Sequence, residues 1–198
     1  FLLREVSFGQ DGSYSPEAIV TRVNADLANS FGNLAQRTLS LIFKNCEGYL
    51  PAIRGHNDDD KALLDLVGAT VSQHIPAHYE DLAMSQGLES WMQAVFACNA
   101  YVDVQAPWAL KKTDPERMET VLATLFICIA QLAIAALPII PGSATKLLDQ
   151  MGVPLDVRNF HAAGSHWYSP LAESNYQIAQ PVGLFPRLEM PAEEGTAA

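Results

Sequence analysis

The sequence predicts an all-α protein built as a helix bundle, and three observations support this prediction. Apolar residues recur at spacings of three and four, which is the period of a helix with one buried face. Two segments, Ser15-Pro16-Glu17 and Asp114-Pro115-Glu116, place a capping residue, a proline and an acidic residue in the order that starts a helix. No stretch alternates apolar and polar residues strongly enough to indicate a strand.

The composition narrows the possible functions. The 198 residues are 49% hydrophobic and 17% charged, which excludes overall disorder and allows one domain with a sizeable core. The net charge of −10 disfavours binding nucleic acid mainly through phosphates, so any RNA contact must be local and directed at bases. Cys46, Cys98 and Cys128 lie far apart without a C-x-x-C pair, which favours buried free thiols in a reducing compartment.

The first long helix is expected from Ser15 to about Cys46. Its apolar stripe follows helical spacing: Ile19, Val23, Leu27, Phe31, Leu34 and Leu41. Gly48 favours an end to this segment shortly afterwards. Asn33 and Arg37 lie on the flank of the stripe, outside the expected core face.

Two further helices are expected before residue 106. Aspartates 58–60 favour the start of the first one through the helix dipole, and Pro76 is expected to kink or break it. A second apolar pattern covers residues 85–105. It ends at Pro107 and Trp108, which predicts a large aromatic side chain at a helix-to-loop junction.

The run of residues 121–140 is apolar and long enough to resemble a membrane span. We interpret it as the central buried helix of the bundle, because Pro138 and Pro141 close it and flanking Lys and Arg show no one-sided excess. A short helix is expected from Pro141 to Gly152. Beyond residue 156 the periodicity fades, which predicts an irregular segment.

Asn33 and Arg37 are four residues apart, so on a helix they share one face. With Trp108 they would provide an amide, a guanidinium and an indole, which can hydrogen-bond and stack on an unpaired RNA base. Two simpler interpretations stay open. Arg37 could pair with an acid on a solvated face, and Trp108 could pack over a helix end.

Hydrolytic, nucleotide-binding and metal sites are not indicated. The sequence contains no G-x-S-x-G, Walker A, G-x-G-x-x-G or H-E-x-x-H pattern. His74 and His78 have zinc-like spacing, but Pro76 between them disturbs the helical geometry. We therefore predict no catalytic residue and no metal site in this chain.

Four segments resemble methionyl-tRNA synthetases, in the order in which that family has them. Residues 1–15, FLLREVSFGQDGSYS, are similar to the segment after the KMSKS loop, and residues 24–37, NADLANSFGNLAQR, to the first helix of the anticodon-binding domain. Residues 99–108, NAYVDVQAPW, resemble the helix that ends in the anticodon-reading tryptophan. Residues 184–189, LFPRLE, match the usual end of the family.

The resemblance implies a helix bundle of the class I synthetase anticodon-binding type with an irregular C-terminal segment. Residues 1–14 would end the linker from the catalytic domain, and 15–158 would form the helical domain. Residues 159–198 would pack back, with a disordered tail from 191. The class I signatures HIGH and KMSKS are absent from these residues, so we expect a fragment cut from a longer polypeptide. ATP with magnesium, and methionine, would bind in the catalytic part.

The resemblance also assigns roles to residues. Asn33 and Arg37 match the residues that hydrogen-bond the wobble cytosine of the CAU anticodon, Trp108 matches the aromatic on which that base stacks, and Pro107 shapes the site. Candidate phosphate contacts beside Trp108 are Lys111, Lys112 and Arg117.

The implied protein is a methionine-tRNA ligase whose partner is the methionine-specific tRNA. We expect a monomer that does not enter membranes, located in the cytoplasm or in an organelle matrix. Two alternatives remain: the anticodon domain of another class I synthetase, such as those for cysteine, leucine or valine, and a free-standing helical interaction protein. The combination of Asn33, Arg37, Pro107 and Trp108 favours the methionine enzyme over the first alternative.

Overall fold

A computed structural model describes residues 1–160 and 166–190, and these residues form ten α-helices and no named strand. The helices are α1 (Leu2–Glu5), α2 (Pro16–Arg22), α3 (Asn33–Asn45), α4 (Asp58–Ala69), α5 (Ile75–Glu80), α6 (Met84–Gln105), α7 (Pro107–Thr113), α8 (Pro115–Ala136), α9 (Pro141–Met151) and α10 (Tyr168–Glu173). The all-α prediction is confirmed.

The first long helix is confirmed, but a π-helical segment, Val23–Gly32, joins α2 to α3. Ser15 caps its start by accepting a hydrogen bond from the Ala18 N–H. The wider π turn changes the phase of the helix. Leu41, which was expected in the core, is only half-buried, and Leu39 and Ile42 are buried instead.

The expected break at Pro76 does not occur. The π-helical segment Thr70–His74 connects α4 directly to α5, and the backbone stays helical through His74 and Ile75. In a regular α-helix the proline ring would clash with the carbonyl of the residue four positions earlier. The residue four positions before Pro76 lies in the wider π-helical segment, so the clash is avoided and the helix continues.

Helix α8 forms the centre of the bundle. It is long and apolar enough to cross a membrane by composition, but 94% of its most apolar 18-residue stretch is buried inside the protein. The prediction of a buried central helix is confirmed. The three cysteines are free, as expected: Cys98 and Cys128 are buried, and Cys46 is half-buried. Burial and the nearby Glu119 raise the pKa of the Cys46 thiol to about 11, so this thiol stays protonated at neutral pH.

The junction between α6 and α7 differs from the sequence prediction. The chain does not enter a loop at Pro107, because this proline starts α7 directly after α6. The turn between the two helices is made by Ala106 alone, in the left-handed conformation with φ 42° and ψ 58°. Trp108 therefore lies in the first turn of a short helix.

The described part of the C-terminal segment is mostly irregular and packs on the bundle. Asn24 binds both backbone groups of Leu188, donating to its carbonyl at 2.9 Å and accepting from its N–H at 2.8 Å. Gly152 ends α9 with φ 66°. A larger residue at this position would place its Cβ atom 2.1 Å from the Tyr176 ring, so the ring packs directly on the glycine. Side-chain packing therefore fixes this segment. The predicted disorder of residues 191–198 falls outside the described residues.

Candidate nucleic-acid interface

A polar groove of about 390 Å³ opens between α3 and α6. All of its lining side chains can donate or accept hydrogen bonds: Asn29, Asn33, Gln36, Arg37, Ser40, Asn99 and Asp103. The first of these residues belongs to the π-helical segment, and the last two belong to α6. A groove with this lining suits the polar edge of a planar ligand better than an apolar molecule.

Arg37 connects the groove to the α6–α7 corner. Its Nη1 donates to the Asp103 carboxylate at 3.1 Å, and its Cζ lies 5.7 Å from the centroid of the Trp108 ring. The second contact is a cation–π interaction. The Arg37 side chain keeps 39% of its surface exposed, so a ligand can reach its guanidinium. The simpler interpretation of Arg37 expected it to pair with an acid, and it does pair with Asp103.

Trp108 presents an open ring face. It is 48% exposed, whereas Trp91 and Trp167 are each only 5% exposed. Pro107 beneath the corner is buried, and the helix start fixes the backbone of Trp108. The helix thus holds the backbone of Trp108, and the exposed part of its indole is available to stack on a base. The alternative interpretation, in which the ring packs over a helix end, stays open, because about half of the residue is covered by protein.

Asn33 is exposed on the same face of α3 as Arg37. Within the described residues, no hydrogen bond engages its side chain, so its amide presents both a donor and an acceptor to the groove. The structure therefore brings Asn33, Arg37 and Trp108 to one place, although they are distant in the sequence.

Asp103 and Asn99 belong to the groove but were not identified from the sequence. Asn99 uses its Nδ2 to donate to the Val95 carbonyl at 3.0 Å, which leaves its own side-chain oxygen directed to other donors. The spacing of four between Asn99 and Asp103 places both on one face of α6. That spacing was the signal available in the sequence.

The three cations expected near Trp108 do not have equivalent surroundings. Lys111 and Lys112 are exposed in the last turn of α7. Arg117 instead forms two hydrogen bonds with the buried Asp60, at 2.5 and 2.7 Å, and its side chain is only 18% exposed. Its guanidinium also donates to Gln105 at 2.7 Å. These contacts favour a structural role for Arg117 over the predicted phosphate contact.

The Asp60 carboxylate is stabilised in its charged form. Burial raises its pKa, but hydrogen bonds from Arg117, the Tyr101 hydroxyl and the Asn57 N–H outweigh burial and leave the pKa below its usual value. The Arg117 pKa is raised by the same hydrogen bonds to Asp60. Asp60 and Arg117 are therefore both charged over the physiological pH range.

A helical bundle with an exposed tryptophan beside a polar groove is compatible with an RNA-reading domain. Comparison with known families agrees with this class. Residues 50–189, more than half of the chain, match the family described as the anticodon binding domain of methionyl tRNA ligase. Residues 1–39 match the class I tRNA synthetase family for methionine. The chain therefore belongs to the methionyl-tRNA ligase family and represents its anticodon-binding domain.

Individual relatives agree with this assignment. The chain is 47% identical over 192 residues to the methionine--tRNA ligase of Mesorhizobium japonicum, and 48% identical over 187 residues to that of Brucella suis. Each alignment covers 94% of this chain but only 36% and 35% of the relative. The chain thus spans about a third of the length of the curated relatives that it matches.

Solved structures show the same fold. The free form of Mycobacterium tuberculosis methionyl-tRNA synthetase superposes with a TM-score of 0.87 at 39% identity, covering 96% of this chain and 38% of that one. A structure of the same enzyme bound by methionyl-adenylate gives a TM-score of 0.85, with 94% of this chain and 36% of that one covered.

Proposed function

We propose that this chain reads the CAU anticodon for a methionine--tRNA ligase, and that the full-length protein attaches methionine to its tRNA with ATP. Membership of the family supports the overall activity. The observation that carries the proposal for the site is the position of Arg37, which contacts both the Trp108 ring and the Asp103 carboxylate while lining the groove with Asn33.

In this proposal the wobble cytosine stacks on Trp108. Base–aromatic stacking is worth about 1–3 kcal/mol and accepts every base, so it gives affinity without selectivity. Selectivity then comes from Arg37 and Asn33 at the base edge. Cytosine presents acceptors at O2 and N3 and a donor at N4, whereas uracil presents a donor at N3 and an acceptor at O4.

Asp103 adds to this discrimination. Its carboxylate accepts hydrogen bonds and repels an acceptor, so it favours a base edge that carries an amino group. A mismatched base would leave polar groups unpaired inside the contact, which costs more than the matched bonds gain in water. The ion pair with Arg37 can open for the base because both side chains are exposed to solvent.

Phosphate contacts are proposed for Lys111 and Lys112, which lie exposed on α7 next to Trp108. Two local cations are sufficient to hold the backbone on either side of a stacked base. They also explain how a chain with a net charge of −10 can bind RNA, because neutralisation is needed only at the site.

The reaction with ATP, magnesium and methionine is proposed for the part of the protein outside this chain. The described residues contain no group of three or more His, Cys, Asp or Glu side chains that could hold a metal ion. No chemical step is assigned to these residues. The M. tuberculosis relative was crystallised with methionyl-adenylate, which supports that chemistry for the family.

We further propose that the enzyme is a cytoplasmic monomer that does not insert into membranes. The bacterial origin of the relatives and the burial of α8 support the location. Size-exclusion chromatography with light scattering tests the monomer directly.

The anticodon assignment is tested by charging kinetics of the full-length protein. We expect kcat/KM to fall by about 10- to 100-fold when the wobble base of the methionine tRNA is changed from cytosine to uracil. Methionine-dependent pyrophosphate exchange, which needs no tRNA, serves as the control for an intact catalytic site. Equal charging of the two tRNAs would show that this chain does not read the wobble base.

A further inference from the structure

We propose that Gln105 is a positioning residue for Trp108, and that Asp59 and Arg117 hold it in place. This inference rests on the proposed anticodon-reading function. It assigns a role to the cluster of polar side chains at the C-terminal end of α6, which makes no contact with the groove itself.

Gln105 is the last residue of α6, and both ends of its amide are engaged. Its Oε1 accepts from Nη2 of Arg117 at 2.7 Å, and its Nε2 donates to the Asp59 carboxylate at 3.0 Å. Asp59 lies in the first turn of α4, and Arg117 lies in the first turn of α8. One side chain thus ties the end of α6 to the starts of two other helices.

The partner of Gln105 is itself immobilised. Arg117 binds the Asp60 carboxylate through two nitrogens, and the Asp60 side chain is fully buried. The Tyr101 hydroxyl donates to the same carboxylate, one turn before Gln105 on α6. A guanidinium held in this way cannot follow a moving amide, so Arg117 is a fixed point for the end of α6.

Only two residues separate Gln105 from Trp108, and both have restricted backbones. Ala106 adopts the left-handed conformation, which a residue with a Cβ atom takes at a cost. Pro107 fixes its own φ and is buried. The direction in which α7 leaves α6 therefore depends on where Gln105 is held, and so does the ring of Trp108.

Trp108 has little else to fix its orientation. Among the described residues no aromatic ring packs against it, and the contact that it makes with Arg37 belongs to an ion pair open to solvent. The cluster links the half-buried Gln105 and the exposed Asp59 to the buried Asp60 through Arg117, and it therefore supplies order that the exposed site lacks. This is the arrangement expected when a ligand-binding side chain is preorganised by residues behind it.

The test compares Gln105→Ala with Gln93→Ala in the full-length protein. Gln93 is the matched control, because it lies exposed on the same helix and, among the described residues, its side chain hydrogen-bonds only to Glu89, at 3.5 Å. We expect Gln105→Ala to weaken binding of an RNA hairpin with a CAU loop by about tenfold, and Gln93→Ala to leave it unchanged. Iodide quenching is measured for each protein and for the same protein carrying Trp108→Phe, and the difference reports on Trp108, because Trp91 and Trp167 of this chain are buried. The quenching constant should change in Gln105→Ala alone.

A double-mutant cycle with Trp108→Ala separates positioning from a general loss of structure. If Gln105 acts through Trp108, the effect of Gln105→Ala on RNA binding disappears when the indole is absent. Combining Gln105→Glu with Asp59→Asn reverses the donor and acceptor of that hydrogen bond, and we expect it to recover wild-type binding.

Three outcomes would count against the inference or its basis. An equal loss of RNA binding from Gln105→Ala with and without Trp108 would make Gln105 merely structural. Wild-type binding and quenching in Gln105→Ala would also overturn the inference. If the wild-type protein itself fails to prefer the CAU hairpin over a UAU hairpin, the proposed function is wrong, and the positioning role is wrong with it.

Discussion

Two arginine–aspartate pairs flank the C-terminal half of α6, and they differ in the number of contacts, in contact distance and in exposure to solvent. Arg37 and Asp103 meet through one contact of 3.1 Å, with 39% and 65% of their side chains exposed. Arg117 and Asp60 meet through two contacts of 2.5 and 2.7 Å, with 18% and 0% exposed. The first pair borders the groove, and the second lies between α8 and α4.

The comparison shows that surroundings decide what an arginine can do. An exposed pair contributes about 0–1 kcal/mol, so a ligand can replace one partner at little cost. Opening the buried pair would leave a charge without a partner, which is strongly unfavourable. We therefore expect Arg37, rather than Arg117, to be free to contact RNA.

The largest effect should come from breaking the buried pair. Asp60→Ala removes the partner of Arg117 and one half of the capping box with Asn57, so we expect a loss of about 3 kcal/mol in the free energy of unfolding. Urea denaturation of the full-length protein, followed by circular dichroism, measures this loss. Asp103→Ala is the control and should change the free energy by less than about 0.5 kcal/mol. Similar losses in both variants would contradict the distinction between the two pairs.

The next largest effect is expected from Trp108, whose ring contacts Arg37 of the exposed Arg37–Asp103 pair. Trp108→Ala should weaken tRNA binding by about 10- to 100-fold, since it removes the stacking surface. Trp108→Phe should keep part of the affinity because it retains a smaller ring face. Charging kinetics and methionine activation are measured together. Equal damage to activation would show that Trp108 is needed for folding rather than for RNA.

Replacing Arg37 is expected to have a similar or smaller effect, and this effect is on the specificity for the wobble base. Arg37→Ala should reduce discrimination between cytosine and uracil at the wobble position by about 1–3 kcal/mol. Arg37→Lys should not restore it, because an ammonium group lacks the planar arrangement that reaches two acceptors. The ratio of kcat/KM for the two tRNAs gives the answer. A loss by the same factor on both tRNAs would reduce Arg37 to a general RNA contact.

The smallest effect is a pH dependence of the buried pair. The pKa of Asp60 is lower in the folded protein than its ordinary value, so its contribution is complete above about pH 4 and is lost as the pH falls below it. Asp60→Asn should remove this part of the acid sensitivity. Urea midpoints from pH 6 down to pH 3 test it, with Asp103→Asn as the control. Parallel curves for wild type and Asp60→Asn would assign the acid sensitivity to other groups.

The sequence predicted the helices well where local signals decide them. Ser15 and Asp114 cap the helices that they were expected to start, because capping depends on neighbours three residues away. A kink or a break was predicted at Pro76, and the break does not occur because a π-helical turn precedes the proline. The sequence prediction also placed a loop after Pro107, where a second helix begins.

The candidate site was only partly predictable for a similar reason. Asn33 and Arg37 share a helix, so their spacing alone places them together. Nothing local separates Arg37 from Arg117, since the partner of Arg117 lies 57 residues away on another helix. The role of Arg117 therefore became visible only when the tertiary contacts were known.

The clamp between Asn24 and Leu188 has a kinetic consequence. The two residues are separated by 164 positions, so their contact has a high sequence separation and closes one of the longest loops in the chain. During synthesis the helix that carries Asn24 leaves the ribosome long before Leu188 does, and its surface stays uncovered in the meantime. Contacts of this range form late, because the entropy of loop closure must be overcome first. We expect the nascent protein to complete this side of its bundle only after the C-terminal segment has been made.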